Sequence, residues 1–300
     1  MQAPQEVILS EQVSNLHYLL DSDEEPLRLE RQARIYGVED DLRHLALLGT
    51  ERVLDAGCGP GAITRTIAHA LPRGRVTGVD REPRYIDYAR RKAASEHIDN
   101  IDFKSGDVLK LPFESGHFDV LWSKHLLQWV KDRGAALKEF KRVVRSGGRM
   151  ICCTFDGVWA HSYPADASLH RDIDLFFDAM AGQVGFDRTL GRKLGSMFID
   201  LGLEDVTVDF IPDRAFGGFG GDPEKRWNWE SQWHSALEFN TQVYGSLEKA
   251  QEVGLRLLGH LDRPGVYWFC ALFYVQVGFP HFHGHFAKPA ERLSNSTGLI

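Results

Sequence analysis

Residues 53–61 read Val53-Leu54-Asp55-Ala56-Gly57-Cys58-Gly59-Pro60-Gly61. A short apolar run ends in a carboxylate, three glycines follow at alternate positions, and an amphipathic segment begins at Ala62. That order spells a strand, a tight turn and the first turn of a helix. Glycine lacks a Cβ, so backbone N–H groups at such a helix start can come close to a ligand. Taken alone, the stretch also suits a tight turn that binds nothing. Residues further along decide between the two.

Outward from this stretch, strands and helices alternate. The strand at Val53–Leu54 precedes a helix over 61–71, a strand over 75–80 and a helix from Pro83 to about Glu96. A third strand starts at Ile101 and a fourth spans 118–122. A helix over about 132–144 leads through Gly147-Gly148 to a fifth strand over 149–155. Such alternation predicts a mostly parallel sheet covered on both faces. Past residue 156 the rhythm changes. Helices are expected over 167–181 and 190–201, a sixth strand over 206–211, a Trp-rich helix from Pro223, a helix over 247–261 and a last strand over 266–277. Before the glycine stretch, helical spacing runs over 11–20 and again over 27–48, interrupted at Gly37 and closed by Gly49.

The chain has 300 residues, 43% of them apolar and 26% charged, which suits one enlarged α/β domain. A formal charge of −7 offers no basic excess for a nucleic-acid backbone. No run approaches the roughly 18–20 apolar residues that span a bilayer. The first residues, Met1 to Glu6, lack the pattern of a secretory signal. Cys58, Cys152, Cys153 and Cys270 show no CxxC spacing, as expected in a reducing compartment. The expectation is a cytoplasmic protein with no nucleic-acid partner and no membrane span, compatible with a homo-oligomer.

Four features converge on the carboxyl ends of the expected strands, where open α/β sheets bind ligands. One is the glycine turn. Asp80 ends the second strand, about twenty residues beyond Gly61, and its carboxylate can accept two ribose hydroxyls; otherwise it caps the helix ahead of Pro83. Asp107 ends the third strand in Lys104-Ser105-Gly106-Asp107-Val108. It can accept the exocyclic amine of adenine while Val108 offers its backbone; otherwise it is a turn aspartate. Ser123-Lys124-His125 ends the fourth strand at the mouth of the same cleft.

Together these residues resemble the class I S-adenosylmethionine-dependent methyltransferases over about residues 50–155, and among them the small-molecule type similar to the ubiquinone/menaquinone-biosynthesis group. The motifs that match are Val53 to Gly61, Val76-Thr77-Gly78-Val79-Asp80, Ser105-Gly106-Asp107-Val108, Phe118-Asp119-Val120-Leu121-Trp122-Ser123 and Gly147-Gly148-Arg149-Met150-Ile151. The resemblance implies an α/β, Rossmann-like fold, with a mostly parallel seven-stranded sheet whose last strand is antiparallel and lies between the fifth and sixth, plus helical lid insertions. It implies a helical cap over 1–49, a cofactor-binding core over 50–156, the rest of the core over 157–278 with acceptor-binding insertions at 157–189 and 212–262, and a tail over 279–300. It implies S-adenosyl-L-methionine as methyl donor, no metal, and cofactor contacts from Tyr18, Asp55, Gly57, Gly59, Gly61, Asp80, Arg81, Asp107, Val108 and Ser123. The acceptor is then a small molecule, apolar or aromatic, in specialised biosynthesis.

Gly57-x-Gly59-x-x-Ala62 also satisfies the dinucleotide fingerprint of an NAD(P)-dependent oxidoreductase. Asp107 sits where a methyltransferase needs an adenine contact, and Asp55 suits a cationic methionine amine, reached directly or through the turn backbone, better than an anionic phosphate. A non-catalytic regulator that binds S-adenosylmethionine is a further alternative. Should the acceptor need a general base, His125 is the candidate by position; it also suits a histidine packed against the cofactor. His161, His170 and His234 are further candidates. Phe176, Phe177, Phe216, Phe219, Trp227, Trp229 and Trp233 read as a lid over the acceptor, though each alone also suits core packing. His281, His283 and His285 alternate as metal ligands on a strand would, but Pro280 and Gly284 favour a solvated tail.

Overall fold

The computed structural model describes residues 24–36, 38–216 and 222–278. Tyr18, the helix expected over 11–20, Phe219 and the histidines of the tail lie outside the described residues. Seventeen elements follow in order: α1 (Glu25–Tyr36), α2 (Glu39–Leu45), β1 (Arg52–Ala56), α3 (Ala62–His69), β2 (Arg75–Asp80), α4 (Pro83–Ser95), β3 (Ile101–Ser105), β4 (Phe118–Lys124), α5 (Arg133–Val143), β5 (Val144–Tyr163), α6 (Ala167–Val184), α7 (Gly191–Asp200), β6 (Thr207–Phe216), α8 (Pro223–Ser235), α9 (Leu237–Tyr244), α10 (Leu247–Leu261) and β7 (Tyr267–Gly278).

The strands form one seven-stranded sheet in the order β3-β2-β1-β4-β5-β7-β6. Neighbours from β3 to β5 pair in parallel, and β7 runs antiparallel between β5 and β6. This is the expected sheet. Val53, Leu54, Asp55 and Ala56 of β1 are all buried, as a central strand covered on both faces requires. Leu54, Leu121, Phe140 and Phe198 build the core on one face, and Val53, Val76, Ile86 and Trp122 build it on the other. A third cluster, with Phe176, Phe177, Trp229, Trp233 and Phe239, joins the inserted helices α6, α8, α9 and α10. After β3 the chain crosses back to place β4 on the other side of β1. The loops leaving β1 and β4 therefore diverge, which opens a crevice at the strand ends.

Several boundaries differ from expectation. The helix before β1 ends at Leu45 and not at Gly49, because Ala46 takes the left-handed cap (φ 41°, ψ 52°) and returns its N–H to the Leu42 carbonyl. The helix expected over about 132–144 runs unbroken through Gly134, its N-terminus capped by Asp132 accepting from the Ala135 N–H at 2.8 Å. The fifth strand is far longer than expected. Its pairing with β7 shifts register between Asp156 and His161, where Gly157 has φ 77°, and the bend carries the strand up into the insertions. The Trp-rich helix stops at Ser235, and α9 follows it directly.

The N-terminal helices are fastened to the site from two sides. On α2, buried Asp41 accepts from Lys124 Nζ with both oxygens (2.8 and 2.7 Å) and from the Tyr274 hydroxyl at 2.9 Å. On α1, Arg28 pairs with Glu25 and donates to Asn228 Oδ1 of α8 at 2.9 Å, while Glu30 receives Arg65 of α3 at 2.7 Å. The first described helix thus bridges the helix after the glycine turn and the inserted α8. Among the described residues, no helix is long and apolar enough to cross a membrane.

Candidate functional site

The turn after β1 is tied to β2: the N–H groups of Gly57 and Cys58 both donate to the Val79 carbonyl, at 2.8 and 3.0 Å. Its three glycines have φ of 77°, 52° and 80°, in the left-handed region that side chains avoid. They do different work. A Cβ at Gly57 would lie 2.8 Å from Leu126, and one at Gly61 would lie 2.7 Å from the Phe103 ring. A Cβ at Gly59 would meet only Leu29 of α1, at 3.8 Å. Gly57 and Gly61 are close-packing glycines, whereas Gly59 opens the backbone to the crevice. We expect Gly57→Ala to cost about 2–3 kcal/mol of stability through strain and overpacking. Gly59→Ala should cost about 1 kcal/mol, from backbone strain alone. Chemical unfolding of the two variants checks this, and equal losses would contradict the distinction.

Asp80 is fastened to this turn. Its Oδ2 accepts from the Gly59 N–H at 2.9 Å and its Oδ1 from the Glu82 N–H at 3.0 Å. Burial raises its carboxyl above the usual range, and the two backbone hydrogen bonds oppose that rise. The cap of α4 is Glu82, which accepts from the Arg84 N–H. Asp80 is therefore not a helix cap. Asp107 does make the turn bond of the alternative reading, accepting from Leu109 N–H at 2.9 Å, and it also faces the crevice.

Asp55 is 2% exposed beneath the turn and accepts from Thr64 Oγ1 at 2.6 Å. It is not part of the crevice wall, so a direct contact with a ligand's amine is not what the structure presents. It supports the turn from below. Burial pushes its carboxyl up to about 7, against the opposing Thr64 hydrogen bond. A carboxyl with a raised folded-state pKa binds its proton more tightly when folded. Its contribution to stability is full below the unfolded value of 3.8 and is lost as the pH rises through about 7. We therefore expect wild type to lose stability relative to Asp55→Asn between pH 5 and pH 8. Urea unfolding of both proteins at the two pH values measures this, and a constant difference would contradict it.

Ser123 and Gly61 are likewise absent from the crevice wall. Ser123 is 1% exposed inside β4, its hydroxyl without a partner, and strand alternation hands the wall to its neighbours. Lys124 and His125 line the crevice in its place, as do Gly57, Gly59, Arg81 and Val108.

His125 has φ 57°, an unusual value for a side-chain-bearing residue, and its N–H donates to the Cys153 carbonyl at 2.9 Å. The ring lies flat on Phe155, centroids 4.2 Å apart and planes within 9°. Its Nδ1 is buried without a partner, which leaves Nε2 as the nitrogen that can face the crevice. Burial, followed by the charge of Lys124, holds its pKa well below the ordinary imidazole value, so the ring is neutral at pH 7. The other candidate histidines lie elsewhere. His170 sits 3.0 Å from Ser162 Oγ, and exposed His234 contacts the Glu230 carbonyl on the outer face of α8. The side chain of His161 is outside the described residues.

The crevice is a single cavity of about 890 Å³. One end is the glycine turn with Asp80, Arg81 and Asp107. The other is an aromatic chamber of Trp129, Phe155, Phe176, Phe177, Trp229 and Trp233. Four of the expected lid aromatics are thus both insertion core and cavity wall. Trp227 instead stacks under the Arg31 guanidinium, 3.8 Å from the ring centroid, and the side chain of Phe216 is outside the described residues. Sequence reasoning missed Tyr36, Trp129, Phe155, Met180 and the cavity glutamines. The spacing of Phe176, Met180 and Gln183 on one face of α6 was the signal for part of that wall. Among the described residues no group of three histidine, cysteine or acidic side chains could hold a metal ion.

The sheet order, with its antiparallel β7, and the crevice at the switch point define a Rossmann-like methyltransferase fold. Residues 54–152 match the family model of a methyltransferase domain. An uncharacterised methyltransferase of Schizosaccharomyces pombe is 35% identical over 157 residues, covering 50% of this chain and 56% of that protein. The malonyl-[acyl-carrier protein] O-methyltransferase of Pseudescherichia vulneris is 38% identical over 169 residues, covering 55% of this chain and 62% of that one. This chain spans roughly half the length of the curated relatives it matches. Among solved structures, a Haemonchus contortus phosphoethanolamine N-methyltransferase bound to S-adenosylhomocysteine shares the fold, with a TM-score of 0.56 at 16% identity over 87% of this chain and 59% of that one. Residues 54–152 thus form a methyltransferase domain, and the chain as a whole shares the fold of the class I S-adenosylmethionine-dependent methyltransferases.

Proposed function

We propose that the protein transfers a methyl group from S-adenosylmethionine to a small, largely apolar or aromatic molecule. The observation that carries this reading is the one continuous cavity, with a nucleoside-suited end at the glycine turn and an aromatic chamber at the other. The residues present fit the donor. Gly59 leaves room for close backbone approach, Asp80 offers a carboxylate to ribose hydroxyls, and Asp107 and Val108 suit the adenine edge. Gly57 and Arg81 line this end, while Asp55, Gly61 and Ser123 shape and support it from behind. S-adenosylmethionine supplies an electrophilic methyl group on a sulfonium when bound.

The chain's own part is alignment and exclusion of water. The aromatic chamber desolvates the acceptor and holds it flat. His125, neutral and wedged on Phe155, presents Nε2 to take a proton from an acceptor hydroxyl or amine. The formal charge of −7 accords with a small-molecule acceptor in place of a nucleic acid, and the proposed reaction needs no metal. The test is transfer of labelled methyl from S-adenosylmethionine into the small-molecule fraction of a cell extract. Label in an extractable product is expected. Tight binding of the donor with no labelled product would make the protein a cofactor-binding regulator.

A further inference from the structure

At the acceptor end of the cavity the buried cations are paired, while the amide of Gln183 has no partner among the described residues. Arg28 is held by Glu25 at 2.6 Å, and Lys124 rests on both oxygens of Asp41. The carboxylates Asp80, Glu82 and Asp107 belong to the glycine-turn end, and Lys131 and Asp132 are exposed. Four glutamines line the cavity: Gln32, Gln128, Gln183 and Gln232. Gln128 Oε1 accepts from Thr154 Oγ1 at 2.6 Å. Gln32 Oε1 accepts from Arg28 at 2.6 Å and from Gln232 Nε2 at 3.4 Å. Gln183 differs. Its Oε1 is buried with no partner, and its side chain makes no hydrogen bond among the described residues. Phe176, Phe177, Met180 and Val184, the other cavity-lining residues of α6, are all apolar.

An amide set unpaired in an aromatic wall is costly to bury. Gln183 carries one donor and one acceptor end, exchanged by rotation of its last torsion, so it can serve either side of a hydroxyl. A carboxylate brought into this chamber would find Arg28 and Lys124 already engaged and Lys131 out in solvent, and it would lose its hydration. Resting on the methyltransferase reading above, we propose that Gln183 binds an uncharged hydroxyl of the acceptor remote from the methyl-accepting atom. The acceptor class is then a neutral hydroxyarene with a second polar tip, and Gln183 is a specificity-determining residue.

Calorimetry on the S-adenosylhomocysteine-loaded protein tests this with 2,6-dihydroxynaphthalene, 2-naphthol and 6-hydroxy-2-naphthoate. The diol should bind tenfold or more tighter than either of the others, the loss typical of a buried polar group left unpaired. Gln183→Leu and Gln183→Met, both close in volume and suited to a helix, should each bring the diol down to the level of 2-naphthol. Binding of 2-naphthol should stay within about twofold. Equal binding of diol and 2-naphthol by wild type, survival of the gap in both variants, naphthoate binding as tight as the diol, or no binding of any probe would each overturn the assignment. Titration of S-adenosylhomocysteine alone comes first. Its failure to bind removes the methyltransferase reading, whereas its binding without diol preference removes only the role of Gln183.

Discussion

Replacing Asp80 by alanine is expected to weaken binding of S-adenosylhomocysteine by about 10²–10³-fold. Two losses combine. The ribose hydroxyls lose a charged acceptor, a kind of hydrogen bond that contributes roughly 1.5–3 kcal/mol. The Gly59 N–H loses the partner that holds it at 2.9 Å, so the turn itself loosens. Asp80→Asn keeps an acceptor oxygen and should fall between the two. Calorimetry gives the affinity, and circular dichroism confirms that the variant is folded. Unchanged affinity in a folded Asp80→Ala protein would remove Asp80 from the cofactor site.

Replacing His125 by alanine is expected to lower kcat by about 10²–10⁴-fold, the range of a general base, while S-adenosylhomocysteine affinity stays within about threefold. The pH dependence follows from the direction of its shift. A base must be deprotonated to act, and burial holds the pKa of His125 well below the ordinary imidazole value. Its active form therefore persists on the acid side of neutrality, so between pH 8 and pH 6.5 the rate should show no fall owing to its protonation. Equal loss of rate and cofactor affinity in His125→Ala would make the histidine a packing residue against Phe155.

The sheet and the glycine-turn end of the cavity were legible in the sequence because both rest on local signals. Alternating strands and helices predicted the core, and Gly57, Gly59, Asp80, Asp107 and His125 each close a strand whose end points the same way. The acceptor end was only partly legible. Trp129, Phe155 and Gln183 come from a 3-10 turn (Leu127–Trp129), a strand and a helix, and a shared wall between them is decided by how the insertions fold back over the sheet. The bend in β5 at Gly157 makes that possible, and no local pattern announces its direction. Asp55 and Ser123 were assigned to the cavity by sequence position at a strand end. Side-chain alternation and burial decide otherwise, since neither stands on the wall. Within the glycine turn the sequence treats three residues alike, and only packing against Leu126 and Phe103 separates Gly57 and Gly61 from Gly59.

A structure of the protein with S-adenosylhomocysteine bound tests the central claim most directly. The account predicts the ribose at Asp80, the adenine at Asp107 and Val108, and the sulfur turned toward the open chamber bounded by Phe176 and Trp229. Ligand bound away from the glycine turn, or a sulfur facing closed protein with no space beside it, would contradict it.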